Sequence, residues 1–114
     1  MNTRRTGNIG EDIAVLYLQK HGYVILERNF RVKRGEVDVI AKQGDYYVFV
    51  EVKRRSSDKF GLPREAVDYR KQRTIVQCAK IWLLKKRLYG APVRFDVVEI
   101  LGDDVSVIVD AFRA

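Results

Sequence analysis

Two strand-like runs separated by a short turn constrain this sequence more than any other feature. Residues 37–41 and 46–52 are rich in β-branched and aromatic side chains, and Gln43-Gly44-Asp45 lies between them. This arrangement is typical of a β-hairpin. Apolar side chains occupy both faces of the second run, as expected for a strand that is covered on both sides. The hairpin therefore predicts a central position in a sheet rather than an exposed edge.

The periodicity of the remaining sequence predicts the elements around this hairpin. Residues 8–21 have the spacing of an amphipathic helix, with Asn8 as N-cap and Gly22 as stop signal. The other predicted elements are a short buried strand at 23–26, a helix from about 63 or 68 to 89, and strands at 93–101 and 105–112. The order α-β-β-β-α-β-β predicts an α/β fold in which helices flank a mixed β-sheet, in one domain over residues 1–114.

Composition excludes several classes of site. The chain has 114 residues with one cysteine (Cys78) and one histidine (His21), so an internal disulfide and a histidine-rich or cysteine-rich zinc site are excluded. No apolar run approaches a membrane span, and no apolar segment follows the N-terminal charges, so we expect a cytoplasmic protein without membrane contact. The net charge of +7 favours nucleic acid as partner, although a well-solvated surface would have the same excess.

The hairpin also predicts a cluster of charged side chains. A two-residue loop at 44–45 puts Asp38 opposite Glu51. In the same register, Glu36 lies opposite Lys53. A loop shifted by one residue pairs Glu51 with Glu36 instead. Because side chains alternate along a strand, all four residues share one face in either register.

Carboxylates held together in a largely apolar hairpin repel each other, and burial makes their ionised forms costlier. A divalent cation relieves this repulsion, and oxygen ligands without His or Cys suit Mg²⁺ or Mn²⁺. Such an ion can bind a phosphate oxygen and lower the pKa of a bound water. A solvated strand face with an ion pair between Glu36 and Lys53 explains the same residues, so both interpretations stay open.

Several short motifs together resemble the bacterial YraN family, a group of small proteins classed with the restriction-endonuclease-like PD-(D/E)XK nucleases. The matching segments are Gly10-Glu11, Gly22-Tyr23, Arg28-Asn29-Phe30, Gly35-Glu36-Val37-Asp38-Val39-Ile40, Val48-Phe49-Val50-Glu51-Val52-Lys53-Arg54-Arg55, Gly61, Pro63, Ala66-Val67, Lys71 and Arg94-Phe95-Asp96-Val97-Val98. They cover nearly the whole chain, so the assembled pattern is specific although each piece is weak. The resemblance implies a restriction-endonuclease-like sheet, similar to that of archaeal Holliday-junction resolvases.

The resemblance also implies roles for individual residues. Asp38 takes the acidic metal-ligand position of the superfamily motif, Glu51 the second ligand position and Lys53 that of the motif lysine. Glu11 matches a first-helix glutamate of the resolvase-like branch. Glu11 also occupies the helix position at which a glutamate closes a capping box, and the two roles are equally supported. Val37 stands where the motif has a proline, whose role is geometric rather than chemical.

Basic residues follow the predicted metal site along the chain. The candidates for contact with a phosphate backbone are Arg54, Arg55, Arg64, Arg70, Lys71 and Arg73. A solvated basic helix face is an equally good explanation for the arginines, and a snorkelling side chain is the more common one for Lys71. Trp82, at helical spacing, is expected in the core rather than in base stacking.

The leading hypothesis is a metal-dependent endonuclease that cleaves phosphodiester bonds in DNA, with branched or structured DNA among its candidate substrates. Asp38 and Glu51 would hold Mg²⁺ (or Mn²⁺), Lys53 would orient the attacking water, and Glu11 would assist as ligand or base. The alternatives are a nucleic-acid-binding module of the same fold that does not cut, and a protein-interaction domain. Symmetric cutting of a junction would require a homodimer, and nothing in the sequence marks its interface.

Overall fold

The computed structural model describes residues 9–55 and 67–114. Its elements are α1 (Ile9–Lys20), β1 (Val24–Val32), β2 (Gly35–Gln43), β3 (Tyr46–Arg55), α2 (Tyr69–Lys85), β4 (Val93–Leu101) and β5 (Asp104–Phe112). This order and the mixed α/β architecture confirm the predicted fold class and are compatible with a restriction-endonuclease-like fold. Within the described ranges, neither helix is long and apolar enough to cross a membrane.

The five strands form one sheet in the order β1-β2-β3-β4-β5. Neighbouring strands are antiparallel, except that β3 and β4 are parallel. A parallel pair needs a long crossover connection, and α2 lies between β3 and β4 in the chain. In the order β1-β2-β3-β4-β5, β3 is the middle strand of the sheet. The prediction that it is covered on both faces is confirmed, because Val48, Phe49 and Val50 are fully buried.

The side chains of β3 alternate between two apolar layers. Phe49 packs with Trp82 of α2, and the centroids of the two rings lie 5.7 Å apart. Val50 packs on the opposite face with Leu18 of α1. Trp82 is thus a core residue, as predicted. Glu51 follows Phe49 by two residues and emerges from the sheet on the α2 side.

The first strand differs from the prediction. A short buried strand was expected at 23–26, whereas β1 extends over nine residues and forms an edge of the sheet. Val24 is 63% exposed and Leu26 is 45% exposed. Tyr23 is buried and Ile25 packs against the core, so only alternate side chains of this run are covered. Pairing with β2 continues the strand through a basic segment whose own residues do not favour a strand.

Two turns are set by local chemistry. In the first hairpin, Gln43 lies opposite Tyr46, so the loop is 44–45 and the first of the two predicted registers is confirmed. Gly44 has φ +58, a conformation that glycine adopts without strain. α2 begins after Asp68, whose side chain caps the helix, and ends at Lys85, earlier than the predicted 89.

The start of β2 lies unusually close to α2. A Cβ atom at Gly35 would overlap the side chain of Thr74 and would come within 3.3 Å of the Cys78 Sγ atom. Only glycine permits this approach. It brings the segment before Asp38 directly against the helix that carries Lys71.

Candidate functional site

The candidate site lies where β2 and β3 stop pairing. Their register runs from Gln43 opposite Tyr46 to Val39 opposite Val50. At the next position, the Asp38 carboxylate accepts a hydrogen bond of 2.8 Å from the backbone N–H of Val52. In a regular antiparallel pair, the Val52 N–H would donate to a backbone carbonyl of β2. Here it donates to the Asp38 side chain instead. This hydrogen bond fixes the Asp38 carboxylate beside β3.

Glu51 is the most perturbed acid in the site. Its side chain is 4% exposed, and its pKa is raised to about 8. Burial is the main cause, and the negative charge of Asp38 and a hydrogen bond with that carboxylate add to it. Lys71 and Lys53 act in the opposite direction. Without a metal ion, Glu51 therefore holds its proton to a higher pH than an ordinary glutamate does.

The cations around Glu51 neutralise it only in part. The Lys71 Nζ atom lies 3.4 Å from Glu51 Oε2, but the lysine side chain is 44% exposed. Glu51 Oε1 is buried and has no hydrogen-bond partner among residues 9–55 and 67–114. Lys53 is half-buried on the same strand. The predicted pairing of Lys53 with Glu36 is not formed; Glu36 instead forms an ion pair of 2.7 Å with Arg31.

Glu11 approaches the same site from α1. Its side chain is 12% exposed, and Oε1 lies 3.6 Å from Arg28 Nη2. Burial raises the pKa of Glu11, and the negative charge of Asp38 raises it further. Glu11 therefore faces the carboxylate pair, which is the sheet-facing alternative. Asn8, the predicted cap partner, lies outside the described residues.

Sequence reasoning assigned no role to Asn29, which also belongs to this site. Asn29 lies within β1 at φ +55, in the left-handed region, while both of its neighbours pair with β2. Its side chain hydrogen-bonds Glu11 and lowers the pKa of that carboxyl. A strained backbone position next to a functional site is a recognised signal. It was hidden in the sequence because the predicted strand ended at 26.

The residues present fit a hard divalent cation. The described ranges contain no group of three or more His, Cys, Asp or Glu side chains that could form a metal cage. Mg²⁺ does not need one, because it is commonly held by one or two carboxylates together with water and phosphate oxygens. Asp38 and Glu51 supply two adjacent carboxylates, and the unpartnered Glu51 Oε1 atom is a free acceptor.

The predicted phosphate-contact residues separate into different environments. Arg70 and Arg73 are exposed and line a groove of about 540 Å³. Arg54 is exposed on β3. Arg55 forms a largely buried ion pair of 2.6 Å with Glu99. Arg64 lies outside the described residues.

The same groove contains two basic residues that sequence reasoning did not assign to it. Lys33 and Arg34, in the turn between β1 and β2, line it from the side opposite α2. In the sequence, both residues belong to the basic segment after residue 26. Their place in the groove depends on that segment forming a hairpin with β2, which the sequence pattern does not predict. Lys71, which contacts Glu51, lies one helical turn before the groove residue Thr74 and so links the two features along α2.

Comparison with known proteins gives consistent matches along the chain. Residues 10–100 match the model of the uncharacterised protein family UPF0102. A UPF0102 protein of Acetivibrio thermocellus is 51% identical over 111 residues, which cover 93% of this chain and 85% of that protein. One from Clostridioides difficile is 45% identical over 98% of this chain and 100% of its own length. One from Dictyoglomus thermophilum is 42% identical over 96% of this chain and 93% of its own. With this coverage and identity, the chain belongs to the uncharacterised protein family UPF0102.

Proposed function

We propose that this protein is a metal-dependent endonuclease that cleaves phosphodiester bonds in DNA, with branched or structured DNA as the first substrates to test. The proposal depends on one observation above all. Glu51 is a buried acid beside a second carboxylate, and one of its oxygens has no hydrogen-bond partner among the described residues. Two adjacent carboxyl groups in a buried setting disfavour each other's ionised form, so proteins seldom retain such a pair for stability alone. The proposed site of action is the cytoplasm.

Asp38 and Glu51 would hold Mg²⁺ or Mn²⁺ between them. When bound, the ion supplies a water of lowered pKa and a positive charge for a phosphate oxygen. The fixed orientation of Asp38, which accepts the Val52 N–H, keeps one ligand in place before the ion arrives. Glu51 gives up its proton on binding, because a carboxylate must be ionised to act as a ligand.

The remaining residues of the site can act on the substrate. The Lys53 ammonium can donate a hydrogen bond to the attacking water and offset negative charge on the phosphate oxygens. Lys71, half exposed and 3.4 Å from Glu51, can do the same from α2. Glu11 has a raised pKa, which brings a carboxylate closer to the range in which it accepts a proton near neutral pH.

The alternatives explain less of this geometry. A protein-interaction domain with a structural ion-pair network would have no need of two carboxyl groups placed side by side, since like charges destabilise each other. A nucleic-acid-binding module that does not cut would need the basic groove but not two adjacent carboxylates. The carboxylate pair therefore favours the enzymatic proposal over the two alternatives.

Cleavage assays test the proposal directly. Linear, nicked and four-way DNA are incubated with Mg²⁺ or Mn²⁺ and with the wild type, Asp38→Ala or Lys53→Ala. We expect metal-dependent cleavage by the wild type and a loss of about 100-fold or more in each variant. Asp45→Ala and Lys80→Ala remove exposed residues of the same types and should retain full activity. Absence of cleavage with either metal, or equal cleavage by all variants, would refute the proposal.

A further inference from the structure

The groove beside the site combines a basic rim with an apolar floor. Its rim carries four cations, which are Lys33, Arg34, Arg70 and Arg73. Its floor includes Val32, Cys78 and Ile81, and Ile81 is 38% exposed. We call this feature the basic groove; it is lined by residues 32–34 and, from α2, by Arg70, Arg73, Thr74, Gln77, Cys78 and Ile81.

The apolar floor identifies the part of a nucleic acid that would face it. Phosphates gain nothing from apolar surface, because they lose hydration there without gaining a donor. Sugars and base faces do gain from such contact. In a duplex the base faces are stacked on each other and the phosphates face outward. A single strand can turn its bases to the floor while its phosphates meet the cations of the rim.

An exposed aromatic side chain beside the groove supports the same ligand. Tyr69 is 71% exposed, and the Arg73 guanidinium lies 6.0 Å from the centroid of its ring. A ring flanked by a cation is a common stacking platform for unpaired bases. Tyr69 does not line the groove itself; it lines a neighbouring depression with Gln72 and Arg113, and Arg73 borders both depressions.

Lys71 links the groove to the carboxylate site. Lys71, which contacts Glu51, lies next to Arg70 and one helical turn before Thr74, a groove residue that contacts Gly35. We infer that the basic groove binds single-stranded DNA, and that the substrates of this site carry a single-stranded segment next to the cleaved bond. The position of the cleaved bond rests on the proposed function, whereas strand binding does not.

Metal-free binding assays separate the two proposals. Fluorescence anisotropy with EDTA and the wild type compares a labelled oligothymidine of about 20 nucleotides with a duplex of the same length. We expect the single strand to bind about 10-fold more tightly than the duplex at equal salt. Equal or tighter binding of the duplex would overturn the inference. Absence of cleavage would leave this result intact, because no metal is present.

Matched variants locate the binding. Ile81→Asp puts a charge on the floor, and Leu84→Asp makes the same change one turn further on, at a residue that is 61% exposed and does not line the groove. We expect about a 10-fold loss of single-strand affinity for Ile81→Asp and less than about a twofold loss for Leu84→Asp. Equal losses would contradict the assigned position.

A surface variant avoids any effect on folding. Arg34 is exposed in the turn, and Lys80 is an exposed cation of α2 outside the groove. Arg34→Ala should reduce the slope of log affinity against log salt by about 0.7, the value for one phosphate contact of a single strand. Lys80→Ala should leave the slope unchanged. An unchanged slope in Arg34→Ala would count against the groove.

Discussion

Two buried carboxylates on neighbouring strands have opposite environments. Asp96 of β4 lies opposite Val50, one residue before Glu51 of β3. Asp96 is fully buried and accepts hydrogen bonds from the Tyr23 hydroxyl at 2.7 Å, from Arg94 at 2.8 and 3.0 Å, and from the Asp110 N–H at 3.0 Å. A β-bulge in β5, with Asp110 at φ +56, presents that last donor. Every part of this environment neutralises the charge.

Glu51 has no comparable set of donors. Among the described residues one of its oxygens is unpartnered, its nearest cation is 44% exposed, and a second carboxylate lies beside it. An unpartnered oxygen alone does not distinguish Glu51, because Glu99 Oε2 is also buried without a hydrogen-bond partner in the described ranges, although Glu99 pairs with Arg55 at 2.6 Å. What distinguishes Glu51 is the second carboxylate beside it, and a buried acid in that environment is a candidate for ligand or proton chemistry.

The largest expected effect is on stability, at Asp96. Asp96→Ala removes the carboxylate partner of the largely buried Arg94, which then keeps only neutral acceptors such as Gln43, and we expect the free energy of unfolding to fall by about 3–5 kcal/mol. Urea denaturation measures the loss. Tyr23→Phe removes one hydrogen bond to the charged acceptor and should cost about 1.5–3 kcal/mol without unfolding the protein. Cleavage per folded molecule should stay unchanged in Tyr23→Phe, and a loss of activity there would assign Asp96 a functional role.

The next effect is on activity, at Glu51. Glu51→Gln keeps the shape of the side chain but removes the ionisable ligand, so we expect metal-dependent cleavage to fall by about 100-fold or more. Stability at pH 8 should be maintained or increased, because the buried charge is gone. Cleavage rates and urea denaturation at the same pH measure both. If Glu51→Gln kept its activity but lost stability, Glu51 would be a structural acid like Asp96, and the proposed difference between the two residues would be wrong.

The sequence predicts part of this contrast for local reasons. Alternation along two strands and a two-residue loop are enough to bring Asp38 and Glu51 together. The role of Glu11 could not be decided, because one position in the first helical turn satisfies both a cap and a sheet-facing side chain. The partner of Arg55 could not be predicted at all. Arg55 reaches Glu99 only through the parallel pairing of β3 with β4, which a distant crossover helix determines.

The third effect is the pH dependence of stability in the metal-free protein. The pKa of Glu51 is about 8 in the folded state, against an ordinary glutamate value of 4.5 in the unfolded chain. The folded state therefore binds this proton more tightly, and its stability falls as the pH rises from 4.5 to 8. The slope approaches about 1.4 kcal/mol per pH unit at most. Urea denaturation in EDTA between pH 5 and pH 8, within the window set by that pKa, measures this fall in stability.

Glu51→Gln is the control for this slope. It lacks the titrating proton, so the fall between pH 5 and pH 8 should be reduced in the variant. Added Mg²⁺ should also reduce the fall in the wild type, because metal binding favours the ionised carboxylate. Parallel pH curves for the wild type and Glu51→Gln would show that Glu51 does not titrate in this window.

The smallest effect concerns the two non-glycine strand residues with positive φ. The backbone N–H of Asp110 donates a hydrogen bond to Asp96. The side chain of Asn29 hydrogen-bonds Glu11 in the candidate metal site. Asn29→Ala should lower stability by about 1 kcal/mol, because alanine is strained at φ +55, and Asn29→Gly should not. Both variants lose the contact with Glu11, so both should lower cleavage by a similar factor. If only Asn29→Ala lowered cleavage, backbone geometry rather than the hydrogen bond to Glu11 would be the contribution of Asn29.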